Sequence, residues 1–344
     1  MAKSGQTGIT DVAALAGVSP ATASRVMGGT IRVGKERQER VLEAARKLDY
    51  RPNRVARNLR RGQTRVIAVV VSDIDNPHSA ELVRDAESAA YERGYRLLLC
   101  NTDTGPSKQA SYLRTLAEER VAGVVLSVAD PTAREITQLL DLGIAVVAVE
   151  KPVGDSRADA VTMDNVGGGR SATSHLLSLG HRDVAFIGGP SESSTAMGRL
   201  TGYRETMAAA GLRPRWECGA WDVAGGRAST SKLLSNGDTP RAIVSANNLI
   251  TIGVLRELRE RRLAVPRDVA IIAFDDPLWA DLVDPPLTTL RQPIGEIAQR
   301  AVGLLLSRIE GLDVAPFQGV LEFEFVHRRS CGCKGRNKLR EVAR

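Results

Sequence analysis

From Val66 onward the chain alternates short apolar runs with longer amphipathic stretches, and few folds accept that alternation. VIAVVV (66–71), RLLLC (96–100), GVVLS (123–127) and AVVAV (145–149) have strand length and are apolar throughout. Strands buried on both faces of a parallel sheet require such runs. Stretches near 78–93, 107–120 and 132–142 separate them and read as helices. A second series follows: AVTM (160–163), VAFIG (184–188), AIVS (242–245) and VAII (269–272), with helices near 167–180, 196–210, 224–235 and 248–262. A last helix near 294–309 and a strand near 320–326 complete the pattern. Two doubly wound α/β lobes in tandem are predicted over 66–326. The first takes about 66–163 plus 292–320, and the second about 164–291 plus 321–326.

Open parallel sheets bind ligands beyond the carboxyl ends of their strands. Two such lobes face to face form a cleft able to close on a small molecule. The strand ends are polar: Asp73, Asp75 and Asn76; Asp164 and Asn165; Arg199; Asn247 and Asn248; Asp275 and Asp276. Aromatics make up only 4% of the chain, so Trp221 and Trp279 among these groups count. Carboxylates, amides and an arginine beside an indole suit a polyol or sugar. Strand-end Asp and Asn also cap helices and form turns. Each residue singly reads either way, while the set points to a polar ligand cleft.

The stretch Ile9–Met27, ITDVAALAGVSPATASRVM, has a different character. Thr10 is expected to cap a first helix, with Asp11 beside the positive end of its dipole. Val12, Leu15 and Ala16 share one face at spacings of three and four. Gly17 suits the left-handed turn that stops this helix, and Val18 the corner. Ser19-Pro20 then starts a second helix. From it Ala21, Thr22 and Arg25 point one way, while Ala23 and Val26 point back to the first helix. That is helix-turn-helix geometry, whose second helix lies in the DNA major groove. Lys35–Leu48 reads as a third helix, with Val41, Leu42, Ala44, Ala45 and Leu48 facing the first two.

The signs of charge are segregated. Residues 1–65 carry a net charge of +9, 66–326 a net −8, and 327–344 a net +6, within a total of +7. A basic head on an acidic body fits a nucleic-acid-binding module attached to a sensor or an enzyme. The expected organisation is a head over 1–51, a hinge helix and linker over 52–65, the two-lobed core, and a basic tail over 327–344. In the hinge, Val55, Ala56 and Leu59 form a narrow apolar edge among Arg54, Arg57, Arg60 and Arg61. So short a helix needs a partner, such as its own copy in a dimer on DNA.

Several classes are excluded. No run of about eighteen apolar residues could span a membrane, and MAKSGQTGIT has no apolar signal-peptide core. Four cysteines fit reduced thiols in the cytoplasm better than a disulfide framework. No P-loop, His-Glu-x-x-His or Gly-x-Ser-x-Gly pattern is present, so no enzyme or cofactor is expected. GGGR (167–170) lacks the Lys-Ser/Thr ending of a phosphate loop and reads as a glycine-rich helix entry. Cys331-Gly-Cys333 lacks the second ligand pair of a zinc site, and His327 alone does not supply it. No metal is expected, and the tail reads as mobile and reduced.

Four collinear motifs carry a resemblance: DVAALAGVSPATASRV, YRPNRVARNLRRGQT, SHLLSLGHRDVAFIGGP and FDDPLWADLVDPPLTTLRQP. Together they resemble the LacI/GalR (lactose-repressor) family of bacterial transcription regulators over nearly the whole chain. The resemblance implies a homodimer, sometimes a tetramer, on pseudo-palindromic double-stranded operator DNA. It also implies a core similar to periplasmic sugar-binding proteins, and the expected role is repression of carbohydrate-use genes under a sugar or sugar derivative as small-molecule effector; the alternative is a regulator co-repressed by, or sensing, a non-sugar metabolite. By motif position, Pro20, Ala21 and Arg25 stand where the family reads bases. Thr10, Ser19, Thr22, Ser24 and Asn53 would position the DNA backbone, and Leu59, with Ala56 beside it, would be the hinge wedge. In the core, Arg199, Asn247 and Asp275 match effector-binding positions, with Trp221 as a stacking wall; Asp164, Trp279 and Gln292 are further candidates. Three departures stand out. His78 and Ser79 follow Pro77 where the family often has two aromatics, Asn247-Asn248 replaces an Asn-Asp pair, and Ala23 replaces a more usual valine. The first two bear on effector identity, the third on packing.

Overall fold

The computed structural model describes residues 8–28, 34–50, 64–235 and 237–333. The chain divides into two compact units, Met1–Thr64 and Arg65–Arg344.

The first unit holds α1 (Ile9–Ala16), α2 (Pro20–Gly28) and α3 (Lys35–Lys47). Its small core is Val12, Ala13, Ala16, Ala23, Val41, Ala44 and Ala45. Gly17 at φ 65° closes α1, and the Val18 amide donates to the Ala13 carbonyl at 3.0 Å. Only glycine takes that backbone geometry at little cost. Three expectations are corrected. The cap of α1 is Gly8, whose amide donates to Asp11 Oδ2 at 2.8 Å, so Thr10 is the second residue of the helix rather than its cap. Leu15 is 54% exposed, because Ala13 takes the buried position assigned to it. Leu42 is 38% exposed on the far side of α3.

In the second unit, β1 (Val66–Val71), β2 (Arg96–Asn101), β3 (Gly123–Ser127), β4 (Ala145–Glu150), β5 (Asp159–Met163) and β11 (Gln318–Leu321) form one parallel sheet, ordered β11-β5-β4-β3-β1-β2. The other sheet contains β6 (Val184–Gly188), β7 (Arg215–Cys218), β8 (Ala242–Ser245), β9 (Ala270–Phe274), β10 (Thr288–Arg291) and β12 (Glu324–Val326), ordered β12-β10-β9-β8-β6-β7. In this second sheet β12 alone runs antiparallel to its neighbour. Both lobes thus repeat one winding, with a reversal of strand order beside β1 and again beside β6.

Helices cover both faces. On β1, Ile67, Val69 and Val71 face α4 (Pro77–Glu92) and α11 (Ile294–Ile309), through Leu82, Ala86, Ala301 and Leu305. Ala68 and Val70 face α5 (Pro106–Glu118) and α6 (Arg134–Asp141), through Leu113, Leu116, Ile136 and Leu139. This two-sided burial is why VIAVVV is apolar at every position. Each fully buried Val or Leu contributes about 1.5–3 kcal/mol of transfer free energy. The second lobe packs α7 (Asn165–Ser178), α8 (Ser194–Ala209), α9 (Val223–Leu233) and α10 (Asn248–Glu260) around Phe186, Tyr203, Ile243 and Phe274.

The chain passes between the sheets three times: from β5 to α7, from β10 to α11, and from β11 to β12. The apolar stretch near 320–326 is therefore two strands, one in each sheet. AVTM belongs to the first sheet as β5. β7 and β10, of four residues each, leave no mark in the sequence pattern, because RWEC and TTLR are too short and too polar to stand out. GGGR lies inside α7, where Gly169 lets α8 approach; a Cβ there would meet the Arg199 carbonyl oxygen at 2.1 Å.

Residues 327–333 are ordered, against the mobile tail expected from composition. The Ile271 amide donates to the Ser330 carbonyl at 2.8 Å, and the Thr288 amide to Ser330 Oγ at 2.8 Å. Cys331 is fully buried.

Candidate functional sites

The head presents α2 outward. Ser19 Oγ accepts from the Thr22 amide at 3.2 Å and lies 2.9 Å from Thr22 Oγ1, which fixes the first turn of the helix. Ala23 is fully buried against the other two helices, so Pro20, Ala21 and Arg25 are turned to the exposed face. Thr22 and Ser24 are half-buried at its flanks, and Thr10 is exposed on α1. One face of α2 therefore holds the fold while the other carries the base-reading candidates. Asn53, Ala56 and Leu59 lie outside the described residues.

In the second unit a cavity of about 650 Å³ lies between the carboxyl ends of the two sheets' strands. Of the residues expected there, Arg199, Trp221, Asn247, Asp275 and Gln292 line it together. Two do not. The Asp164 carboxylate caps α7, accepting from the Gly167 amide at 2.8 Å. Trp279 packs on the apolar core of the second lobe. Among the other strand-end residues, Asp73, Asn76 and Asn165 line the cavity. Asp276 is drawn away to the C-terminal segment, where Arg328 reaches Oδ1 at 2.5 Å and Arg291 reaches Oδ2 at 2.5 Å. Burial works against ionising Asp276, but these two guanidiniums and the Thr289 hydroxyl hold its carboxyl below the usual range.

The polar groups of the second lobe are held rather than loose. Arg199 Nε donates to Asn165 Oδ1 at 2.9 Å, and another of its nitrogens to the Ala246 carbonyl. Its guanidinium lies 4.4 Å from the Phe274 ring centroid and 5.5 Å from that of Phe323. Burial depresses its pKa, opposed by the charges of Asp275 and Glu150. Asp275 takes a left-handed backbone, φ 68°, and receives Gln292 Nε2 at 2.7 Å and the Asn248 amide at 3.2 Å. A non-glycine residue held in this region signals a site over-determined by its surroundings. Asn247 caps α10 through the Ile250 amide at 2.7 Å and donates to the Trp221 carbonyl at 3.3 Å, tying the indole's backbone to the floor.

The first lobe supplies a cluster that pattern reading missed. His78 Nε2 and Glu150 Oε1 are 3.0 Å apart, and Ser127 Oγ donates to Glu150 Oε2 at 2.7 Å. Burial pulls the His78 pKa down, but the Glu150 hydrogen bond and charge outweigh it and the net shift is upward. Burial likewise opposes the Glu150 charge, and His78 and Ser127 bring its pKa below the ordinary value. The two groups face each other in the cavity wall, and each favours the charged form of the other. Nδ1 of His78 is buried without a hydrogen-bond partner. Asn76 Oδ1 accepts from the His78 amide at 3.0 Å and from Asn248 Nδ2 at 2.9 Å, the latter bond joining the lobes. The departure at His78 was visible in the sequence; Glu150, the last residue of an apolar strand, gave no signal.

A fold of two doubly wound lobes around a polar cavity, preceded by a helix-turn-helix, defines a ligand-responsive DNA-binding regulator. Residues 8–53 match the family described as bacterial regulatory proteins, lacI family, and residues 173–331 match the periplasmic binding protein-like domain. The chain is 33% identical over 308 residues to the HTH-type transcriptional repressor PurR of Haemophilus influenzae (strain PittEE), covering 89% of this chain and 92% of that one. It is 36% identical over 304 residues to the ribose operon repressor of Escherichia coli (strain K12), covering 87% and 92%. A crystal structure of the lac repressor dimer bound to operator and the anti-inducer ONPF aligns over 95% of this chain and 99% of that chain, with a TM-score of 0.85 and 26% identity. The chain belongs to the LacI family. It is an effector-responsive, DNA-binding transcriptional repressor and not an enzyme. Among the described residues, no helix is long and apolar enough to cross a membrane.

Proposed function

We propose that a dimer of this protein represses genes of carbohydrate use in the cytoplasm. Each head reads one half of a pseudo-palindromic operator, and a sugar or sugar derivative in the cleft weakens that grip. Arg25, with Pro20 and Ala21, reads bases in the major groove; Thr10, Ser19, Thr22, Ser24 and Asn53 set the register on phosphates. Ala56 and Leu59 form the hinge contact at the dyad. In the cleft, Arg199, Asn247, Asp275 and Gln292 receive hydroxyls while Trp221 covers an apolar sugar face. The observation that carries this reading is the junction of an arginine, a carboxylate and two amides, each buried and held by its own partners, beside one indole in a single cavity. Such fixed donors and acceptors discriminate polyols strongly, because a ligand lacking a hydroxyl leaves them unpaired.

The test is a thermal-shift screen of sugars and sugar phosphates on the full chain, followed by operator binding with each hit. A hit that raises the melting temperature and releases operator supports the reading. Stabilisation by nucleobases or amino acids alone, with all sugars inert, rejects the sugar assignment.

A further inference from the structure

The C-terminal segment brings together groups far apart in sequence. Cys331 and Cys333 follow β12, and their sulfurs are 3.0 Å apart. His175 stands in the last turn of α7, and its ligating nitrogen and the two sulfurs lie within 4.8 Å of one another. Its Nε2 is buried and has no hydrogen-bond partner. The His327 ring lies beside it, with the ring centroids 5.1 Å apart. Around the cluster, Thr288 Oγ1 donates to Cys331 Sγ at 3.2 Å, and His181 Nε2 lies 3.3 Å from the Cys331 carbonyl oxygen.

We propose that His175, Cys331 and Cys333 bind one zinc ion as its three protein ligands. Two thiolates and imidazole are the ligand set zinc prefers over the hard cations, which favour oxygen. With Zn–S near 2.3 Å and Zn–N near 2.0 Å, neighbouring donors around a tetrahedral ion stand roughly 3.3–3.8 Å apart. The cluster brackets that spacing, so small side-chain movements close it. Both thiols lose their protons to solvent on binding, and the ion gains two sulfur bonds and a bond to an imidazole nitrogen of His175. The Thr288 hydroxyl, already directed at Cys331, then hydrogen-bonds a thiolate, as outer partners of metal ligands do. The ion would staple residues 327–333 to α7, the helix whose first residue, Asn165, holds Arg199 in the cleft.

The experiment uses the reduced full-length protein, stripped with chelator and titrated with Zn²⁺, then with Co²⁺ as a spectroscopic stand-in. One equivalent should bind, Co²⁺ should produce thiolate-to-metal charge transfer with tetrahedral ligand-field bands, and zinc should shield the half-buried Cys333 from alkylation. Cys331 is buried and its replacement threatens folding, so the diagnostic variants are His175→Gln and Cys333→Ser, each checked for a native circular dichroism spectrum. Each should weaken binding by more than about tenfold. Absence of the charge-transfer band in the wild type, or undiminished affinity in either folded variant, overturns the site.

Discussion

His78 and Glu150 meet at 3.0 Å in the wall of the cavity, one from the start of a helix and the other from the end of a strand. Glu150 holds a left-handed backbone, φ 70°, to do so. Their shifts have opposite signs, so each stabilises the fold in its own pH window. The raised His78 pKa contributes stability that is fully present below the ordinary histidine value and disappears as pH climbs through the raised one. The depressed Glu150 pKa contributes above the ordinary carboxyl value and fails as pH falls through the lowered one. His78→Gln should therefore lower the melting temperature more at about pH 6 than at about pH 9. Melting curves of both proteins across that range check it; a gap independent of pH would mean that folding leaves the His78 pKa unshifted.

Arg25 is exposed on the face of α2 opposite buried Ala23. A bidentate arginine–guanine contact carries about 1–3 kcal/mol of discrimination, which is about 5–150-fold. Arg25→Ala should lose that factor in preference for operator over random duplex while keeping weak, salt-sensitive binding. Competition anisotropy with both DNAs measures the ratio, and an unchanged ratio removes Arg25 from base reading.

Asp275 accepts from both Gln292 and the Asn248 amide, so Asp275→Ala frees two donors at once. The variant should bind operator as the wild type does yet show no release by a ligand that acts on the wild type. Retained release would clear Asp275 of an effector role.

Away from the cleft, Arg308 forms a two-pronged pair with Asp159, both contacts at 2.9 Å, and Asp159 is almost wholly buried. Removing the carboxylate partner of such an arginine, which keeps the Leu312, Val314 and Ala315 carbonyls, costs about 3–5 kcal/mol. At ~2–4 °C per kcal/mol for a domain of this size, Asp159→Ala should melt at least about 6 °C lower. A smaller drop in calorimetry would show that solvent reaches Arg308 and compensates it.

The two lobes were legible because buried parallel strands leave an unmistakable run of apolar residues, as in VIAVVV and VAFIG. Their strand ends could then be named, which is why Arg199, Asn247, Asp275 and Trp221 were expected at one cavity and do meet there. Asp164 and Trp279 had the same composition and the same kind of position. Only the direction of the side chain separates a cap or a core tryptophan from a lining residue, and spacing does not encode it. Leu15 failed for a related reason: in so small a head, alanines at the crossing bring the helices close, and a larger side chain is displaced outward. His175 could not be paired with Cys331 from sequence, since α7 and the tail are brought together only by the third passage of the chain between sheets.

That threefold passage also limits how the cleft can work. Neither lobe is one continuous stretch of chain, so they cannot swing apart like beads on a single string. Three side-by-side tethers confine them to rocking about one line. The last tether carries Phe323, whose ring lies under the Arg199 guanidinium and edge-on to Phe274. Whatever displaces that arginine leans directly on the axle.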